Sequence, residues 1–246
     1  MTPTIAIINA STVISDEELL RVVLALKAQL NRDFEPAWGL SATLLPILRG
    51  ETPPDGAWWL TIADDSDVAM ALGYHDLTKE GNPLGLVFAK TDLDFGYSWT
   101  VTASHELLEM LADPDINLMA YRQVTRRQTW FYAYEVCDAV ETDALGYQID
   151  GVLVSDFVTP EWFEGFRAPG SVKFDFQGHV ERPFGILPGG YMLVFEVGKG
   201  GHWEHETPNE QVLAAHQRPR LGSRRLRRMT PREQWQPSTC HHQGGK

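Results

Sequence analysis

The chain opens on an apolar run, Ile5-Ala6-Ile7-Ile8, inside a segment Thr4–Asn9 that reads as a buried β-strand. Ser15-Asp16-Glu17-Glu18 follows with the spacing of a capping box. Leu19, Leu20, Val22, Val23, Leu26 and Leu30 then recur at helical intervals and predict a helix to about Arg32. Ser41–Leu48 and Trp58–Ala63 are further strands, separated by the turn-rich Gly50–Gly56. This strand–helix–strand opening implies an α/β layer rather than a helical bundle. Leu84–Ala89 is another short apolar strand, bounded by Asn82-Pro83 and Asp92–Gly96. A helix starting near Ser98–Thr102 must end near Asp113, because Pro114 disfavours helical geometry in the residue before it. Gln128–Val136 and Gly146–Phe157 read as strands, the second folded into a hairpin at Asp150-Gly151. Lys173–Phe176 and Tyr191–Val197 suggest more sheet around the turn Pro188-Gly189-Gly190. From about Gly198 the composition shifts to Gly, His, Pro and Arg, which predicts a loosely structured arm with one short helix near Asn209–Gln217. The pattern divides the chain into a body, 1–198, and an Arg-rich arm, 199–246, with no internal repeat.

Composition adds three constraints. A length of 246 residues with 43% hydrophobic and 11% aromatic content is enough for one domain of moderate size with its own core. No segment reads as a transmembrane span, and Ile5–Ile8 is too short, without basic residues before it, for a secretion signal. Two cysteines, Cys137 and Cys240, do not make a disulfide framework, so a cytoplasmic or virion-associated location is expected. The net charge of −12 is unevenly spread: residues 211–246 hold eight basic side chains against Glu233, a surplus of +7 that leaves −19 for the rest. An acidic body argues against a general nucleic-acid surface there, and any nucleic-acid contact is confined to the tail. The arginines are equally suited to grip this protein's own acidic body, a neighbouring copy or an assembly partner.

The chemistry concentrates at His105-Glu106-Leu107-Leu108-Glu109. On a helix, His105 and Glu109 lie four apart on one face and can grip one metal ion. Glu106, offset by one residue, sits where a metal-activated water needs a general base. The arrangement is similar to the His-Glu-x-x-His helix of zincin metallopeptidases, with glutamate for the second histidine. Catalytic zinc takes three protein ligands, so a third must come from another segment. Asp113 lies about 12 Å along the helix axis from His105, too far to share an ion, and suits a capping or supporting role. The stretch Tyr134–Glu141 offers more. If it is extended, Glu135, Cys137 and Glu141 share one face and Asp138 the other, and geometry does not choose between faces.

Val101–Asp138 resembles a poorly characterised group of bacterial and phage zincin-like proteins, with His-Glu-x-x-Glu-x-x-x-Asp-Pro at His105–Pro114 and Glu-(Ile/Val)-x-Asp at Glu135–Asp138. Leu72–Asp76, Tyr147–Gly151, Ser155–Pro160 and Gly189–Tyr191 extend the likeness over roughly residues 60–195. The resemblance implies an α/β (α+β) fold with a zincin-like mixed sheet and a central active-site helix. It also implies Leu84–Ala89 as the edge strand for a peptide or protein substrate. By the same likeness His105, Glu109 and Asp138 are the metal ligands, Glu135 is the alternate third, and Glu106 is the base of a zinc-dependent hydrolase. One imidazole with two carboxylates is a hard donor set that admits other divalent ions beside zinc. Tyr147, His75 and Tyr191 are available as oxyanion donors. A second expectation, from a different class, is a non-catalytic assembly protein, for example of a phage particle, docking through its arginine arm. Leu107, Leu108 and Leu111, with Trp58, Trp59, Trp162 and Phe163, read as core or interface, and Cys137 as a small buried hydrophobe. His202, His205, His241 and His242 are expected to have no structural role.

Overall fold

The computed structural model describes residues 2–66, 71–197 and 203–208. The fold is mixed α/β: β1 (Thr4–Asn9), α1 (Asp16–Gln29), α2 (Glu35–Trp38), β2 (Thr43–Ile47), β3 (Trp58–Ala63), β4 (Gly73–Leu77) and β5 (Pro83–Phe88) lead to α3 (Ala89–Phe95) and α4 (Trp99–Ala112). After α4 come β6 (Met119–Thr125), β7 (Gln128–Ala133), β8 (Tyr147–Ile149), β9 (Val152–Val154), β10 (Met192–Glu196) and β11 (Trp203–Glu206).

The first sheet runs β2-β1-β3-β5-β4, parallel except for β4, which pairs antiparallel with β5 at the margin. Its inner strands β1, β3 and β5 are nearly continuous apolar runs, as a sheet covered on both faces requires. The second sheet, β11-β10-β7-β6, is antiparallel, and β8-β9 is a separate hairpin. That hairpin turns at Asp150 and Gly151, both with positive φ (49° and 79°), a geometry that glycine adopts without steric cost.

Most of the predicted elements are present, with instructive differences. Ser15 caps α1 by accepting from the Glu18 amide at 3.1 Å, but Glu18 reaches instead for the indole of Trp99 and ties α1 to the start of α4. α1 does not run on regularly to Arg32: a π-helical turn, Leu30–Phe34, intervenes before α2. Leu84–Ala89 was expected at the edge, yet β5 lies between β3 and β4, and the margin belongs to β4. The hydrophobic pattern does not reveal β4, because His75 and Asp76 interrupt it. β6 is likewise hidden, since its side chains alternate between half-buried and exposed. Lys173–Phe176 is not a strand; it contributes one isolated bridge, Val158 to Asp175. Beyond Gly198, the described residues are not loose: Trp203–Glu206 pairs with β10, and His205 packs on Tyr191. The helix expected near Asn209–Gln217 lies outside the described residues.

α4 is buried along its whole length. Leu107, Leu108 and Leu111 join a core that contains Trp162, Phe157 and Tyr132. A buried polar relay fixes its position: Ser104 Oγ donates to Gln29 Oε1 (2.7 Å), Gln29 Nε2 to the Ser155 carbonyl (2.9 Å), and the Ser155 amide back to Ser104 Oγ (3.1 Å). Asp113 is the C-cap residue of α4, its amide donating to the Glu109 carbonyl at 2.9 Å, and its carboxylate accepts from the amides of Asn117 and Leu118 in the turn that follows. No described helix is long and apolar enough to cross a membrane.

Trp162 is fully buried among Tyr132, Phe163 and Phe184, with its indole donating to the Gly185 carbonyl at 2.8 Å, so it is core rather than pocket. Trp162→Ala is expected to lower unfolding free energy by about 3–5 kcal/mol, read as a shift in the urea midpoint.

Candidate metal centre

Three segments converge on α4. The first is α4 itself, which presents His105 and Glu109 one turn apart and Glu106 beside them. The second is the chain after β7. It does not stay extended: it bends and enters a 3₁₀ turn at Asp138–Val140. The choice between faces therefore disappears, because the bend carries both Glu135 and Asp138 to the helix. The third is β4, which delivers His75.

His105 Nε2 lies 3.1 Å from Glu109 Oε2 and 3.2 Å from Asp138 Oδ1. His75 Nδ1 lies 3.2 Å from Glu106 Oε2 and 3.5 Å from Glu109 Oε2, and its Nε2 is 3.4 Å from Glu135 Oε2. All these side chains are almost entirely buried, at 4–8% exposure. The Cys137 amide donates to the other oxygen of Glu109 at 3.1 Å, which aims that carboxylate at the imidazoles. Ligand atoms of His105, Glu109 and Cys137 come within 4.8 Å of one another, as do those of His75, Glu109 and Glu135. Cys137 is thus both a core residue and a member of the first group.

Glu106 occupies space that only a residue without a side chain leaves open. A Cβ on Gly73 would stand 2.9 Å from Glu106 Oε1 and 2.6 Å from Thr102 Cγ2, so β4 approaches α4 closely only because position 73 is glycine.

The electrostatics follow from crowding carboxylates in a dry site. Burial pulls the His75 imidazole down, but Glu135, Glu106 and Glu109 overcome it and push it up to about 9. For His105, burial is likewise opposed by Glu109 and Asp138, and the group is raised well above the usual histidine range. Burial and the neighbouring Asp138 push Glu109 up to about 8 despite His105. Asp92, buried at the edge of the cluster, is raised to about 8 by burial even though Thr102 donates to it. For the carboxyl groups burial is the largest cause, and for the imidazoles it is the surrounding carboxylates that raise them against burial.

Of the three oxyanion candidates, only His75 reaches this cluster. The Tyr147 hydroxyl donates to Asp33 (3.0 Å) and accepts from Gln29 (3.2 Å). Tyr191 is buried against His205, and its amide donates to the Asp138 carbonyl at 3.0 Å, which helps fix the bend. Sequence reasoning did not place His75 among the ligands, since the one signal, Gly-Tyr-His-Asp upstream of the helix, has no metal spacing.

A third group, Asp156, Asp175 and His179, lies on other loops. Burial and the adjacent Asp175 push Asp156 up to about 8, and its Oδ1 accepts from the amides of Phe157 and Gln177.

Comparison with protein-family models, with curated proteins and with solved structures found no match.

Two predictions follow from this geometry. Gly73→Ala is expected to cost about 1–3 kcal/mol by forcing β4 away from Glu106 and Thr102, measured by thermal unfolding. Folded Asp156 keeps its proton to about pH 8, while the unfolded group releases it near 3.8, so its contribution to stability is lost as pH rises between those values. Asp156→Asn should flatten the fall of stability with pH relative to wild type across that window; an unchanged slope would show that Asp156 does not carry the proton.

Proposed function

We propose that this protein is a zinc-dependent hydrolase of peptide bonds, with His105, Glu109 and Asp138 as ligands and Glu106 as general base. The observation that carries the reading is the surroundings of His105 Nε2, with carboxylate oxygens at 3.1 and 3.2 Å. Ligands around a tetrahedral zinc stand about 3.3–3.5 Å apart, given bonds of about 2.0–2.2 Å. One imidazole N–H can satisfy one of these oxygens at a time, whereas a cation beside His105 Nε2 would attract both. The residues therefore fit a divalent ion, and the hard carboxylate-rich set also accepts ions other than zinc. Glu135, the alternate third ligand, approaches from the His75 side.

When bound, such an ion supplies a Lewis acid and lowers the pKa of water. Glu106 is the residue of α4 that is free of the ligand role and stands beside it. His75 Nδ1 donates to its Oε2 and holds the carboxylate in one orientation. In the proposed reaction Glu106 takes a proton from the attacking water and passes it to the leaving amine. Among the described residues no strand pairs with the outer edge of β4. That margin packs against α4 and offers backbone hydrogen bonds to an extended peptide, the role the resemblance to zincins assigned to β5.

Elemental analysis of chelator-washed, zinc-reloaded protein is expected to find zinc in the wild type and less in His105→Ala. Glu106→Gln should keep the metal yet lose about 10²–10⁴-fold in peptide hydrolysis. Absence of zinc, with no response to His105→Ala, would contradict the reading.

A further inference from the structure

We infer that the centre holds two divalent ions, the second bound by His75 and Glu135, with Glu109 shared between it and the ion on His105; this rests on the metal reading above. The first ground is convergence. Two sets of ligand atoms, His105–Glu109–Cys137 and His75–Glu109–Glu135, each within 4.8 Å, have Glu109 in common, and Asp138 Oδ1 stands 3.2 Å from His105 Nε2. Carboxylates have two oxygens and bridge ions readily, and two-metal hydrolase sites place their ions about 3.5–4 Å apart.

The second ground is the tautomer of His75. Glu106, as a carboxylate, only accepts, so the hydrogen bond of 3.2 Å between them places the proton on Nδ1. In the neutral ring Nε2 then carries a lone pair. This nitrogen is buried and makes no hydrogen bond, and it faces Glu135 Oε2 at 3.4 Å. A ring nitrogen and a carboxylate oxygen at this separation are placed to share one divalent ion. The arrangement is that of a metal-ligating histidine whose second nitrogen is oriented by a carboxylate.

The third ground is the number of donors. Glu106, Glu109, Glu135 and Asp138 are all buried, beside His75 and His105. With Glu106 left as the base, His105, Glu109 and Asp138 serve one ion, and His75, Glu135 and the shared Glu109 serve a second, three protein ligands each. The competing arrangement is one metal and a proton on His75 Nε2.

The experiment is native mass spectrometry of the full chain, reloaded with zinc after chelation and desalted. Wild type should carry two zinc ions more than Glu109→Gln, and His75→Ala and Glu135→Gln should each carry one fewer than wild type. One zinc in wild type, retained in His75→Ala, would overturn the second ion and leave the hydrolase reading standing. No zinc would overturn both. Should the variants fail to fold, cobalt-loaded wild type decides: magnetic coupling between two ions is expected by electron paramagnetic resonance, and an isolated-ion signal contradicts it.

Discussion

Everything around α4 answers to one constraint: four carboxyl groups and two imidazoles are packed together in the interior, each side chain only 4–8% exposed. Isolated charges there cost several kcal/mol each after relaxation, and pairing recovers that only when the geometry is good and the opposite charge sufficient. The imidazoles of His75 and His105 are the basic groups paired with these carboxylates. Burial raises Glu109 and Asp92 to about 8, and the carboxylates around His75 raise it to about 9.

The fold serves that cluster in three ways. The mostly parallel sheet and β9 pack against α4, and the Gln29–Ser104–Ser155 relay fixes its height. The antiparallel return of β4 brings His75 over the helix, with Gly73 allowing the close approach. The 3₁₀ turn after β7, pinned by the Tyr191 amide on the Asp138 carbonyl and the Cys137 amide on Glu109, supplies the remaining carboxylates. Each functional side chain thus sits on, or next to, an element held by core packing.

Much of this was legible in the sequence, and the failures have physical causes. α4 was bounded within a residue or two, because a helix stop before proline and an apolar face are local signals. That His105 and Glu109 share a helix face with Glu106 beside them followed from helical spacing. The positions of Glu135 and Asp138 did not. An extended chain forces Glu135 and Asp138 to opposite faces, and only tertiary packing reveals that the chain bends and offers both. β4 was missed because His75 and Asp76, both largely buried, occupy successive positions that a hydrophobic pattern reads as loop. His75 was noticed, but as a donor to substrate; its closeness to Glu106, 31 positions later, is a sheet-to-helix contact that no spacing rule encodes. The exchange of edge between β5 and β4 has the same origin, since strand order is set by pairing rather than by succession.

The most direct test of a cation at this centre is anomalous diffraction at the zinc absorption edge, from crystals of the zinc-loaded protein. A peak within bonding distance of His105 Nε2 and the Glu109 carboxylate is the expected result. A map without a peak there, at full zinc saturation of the medium, would show that the buried carboxylates are neutralised by protons and that the centre is not a metal site.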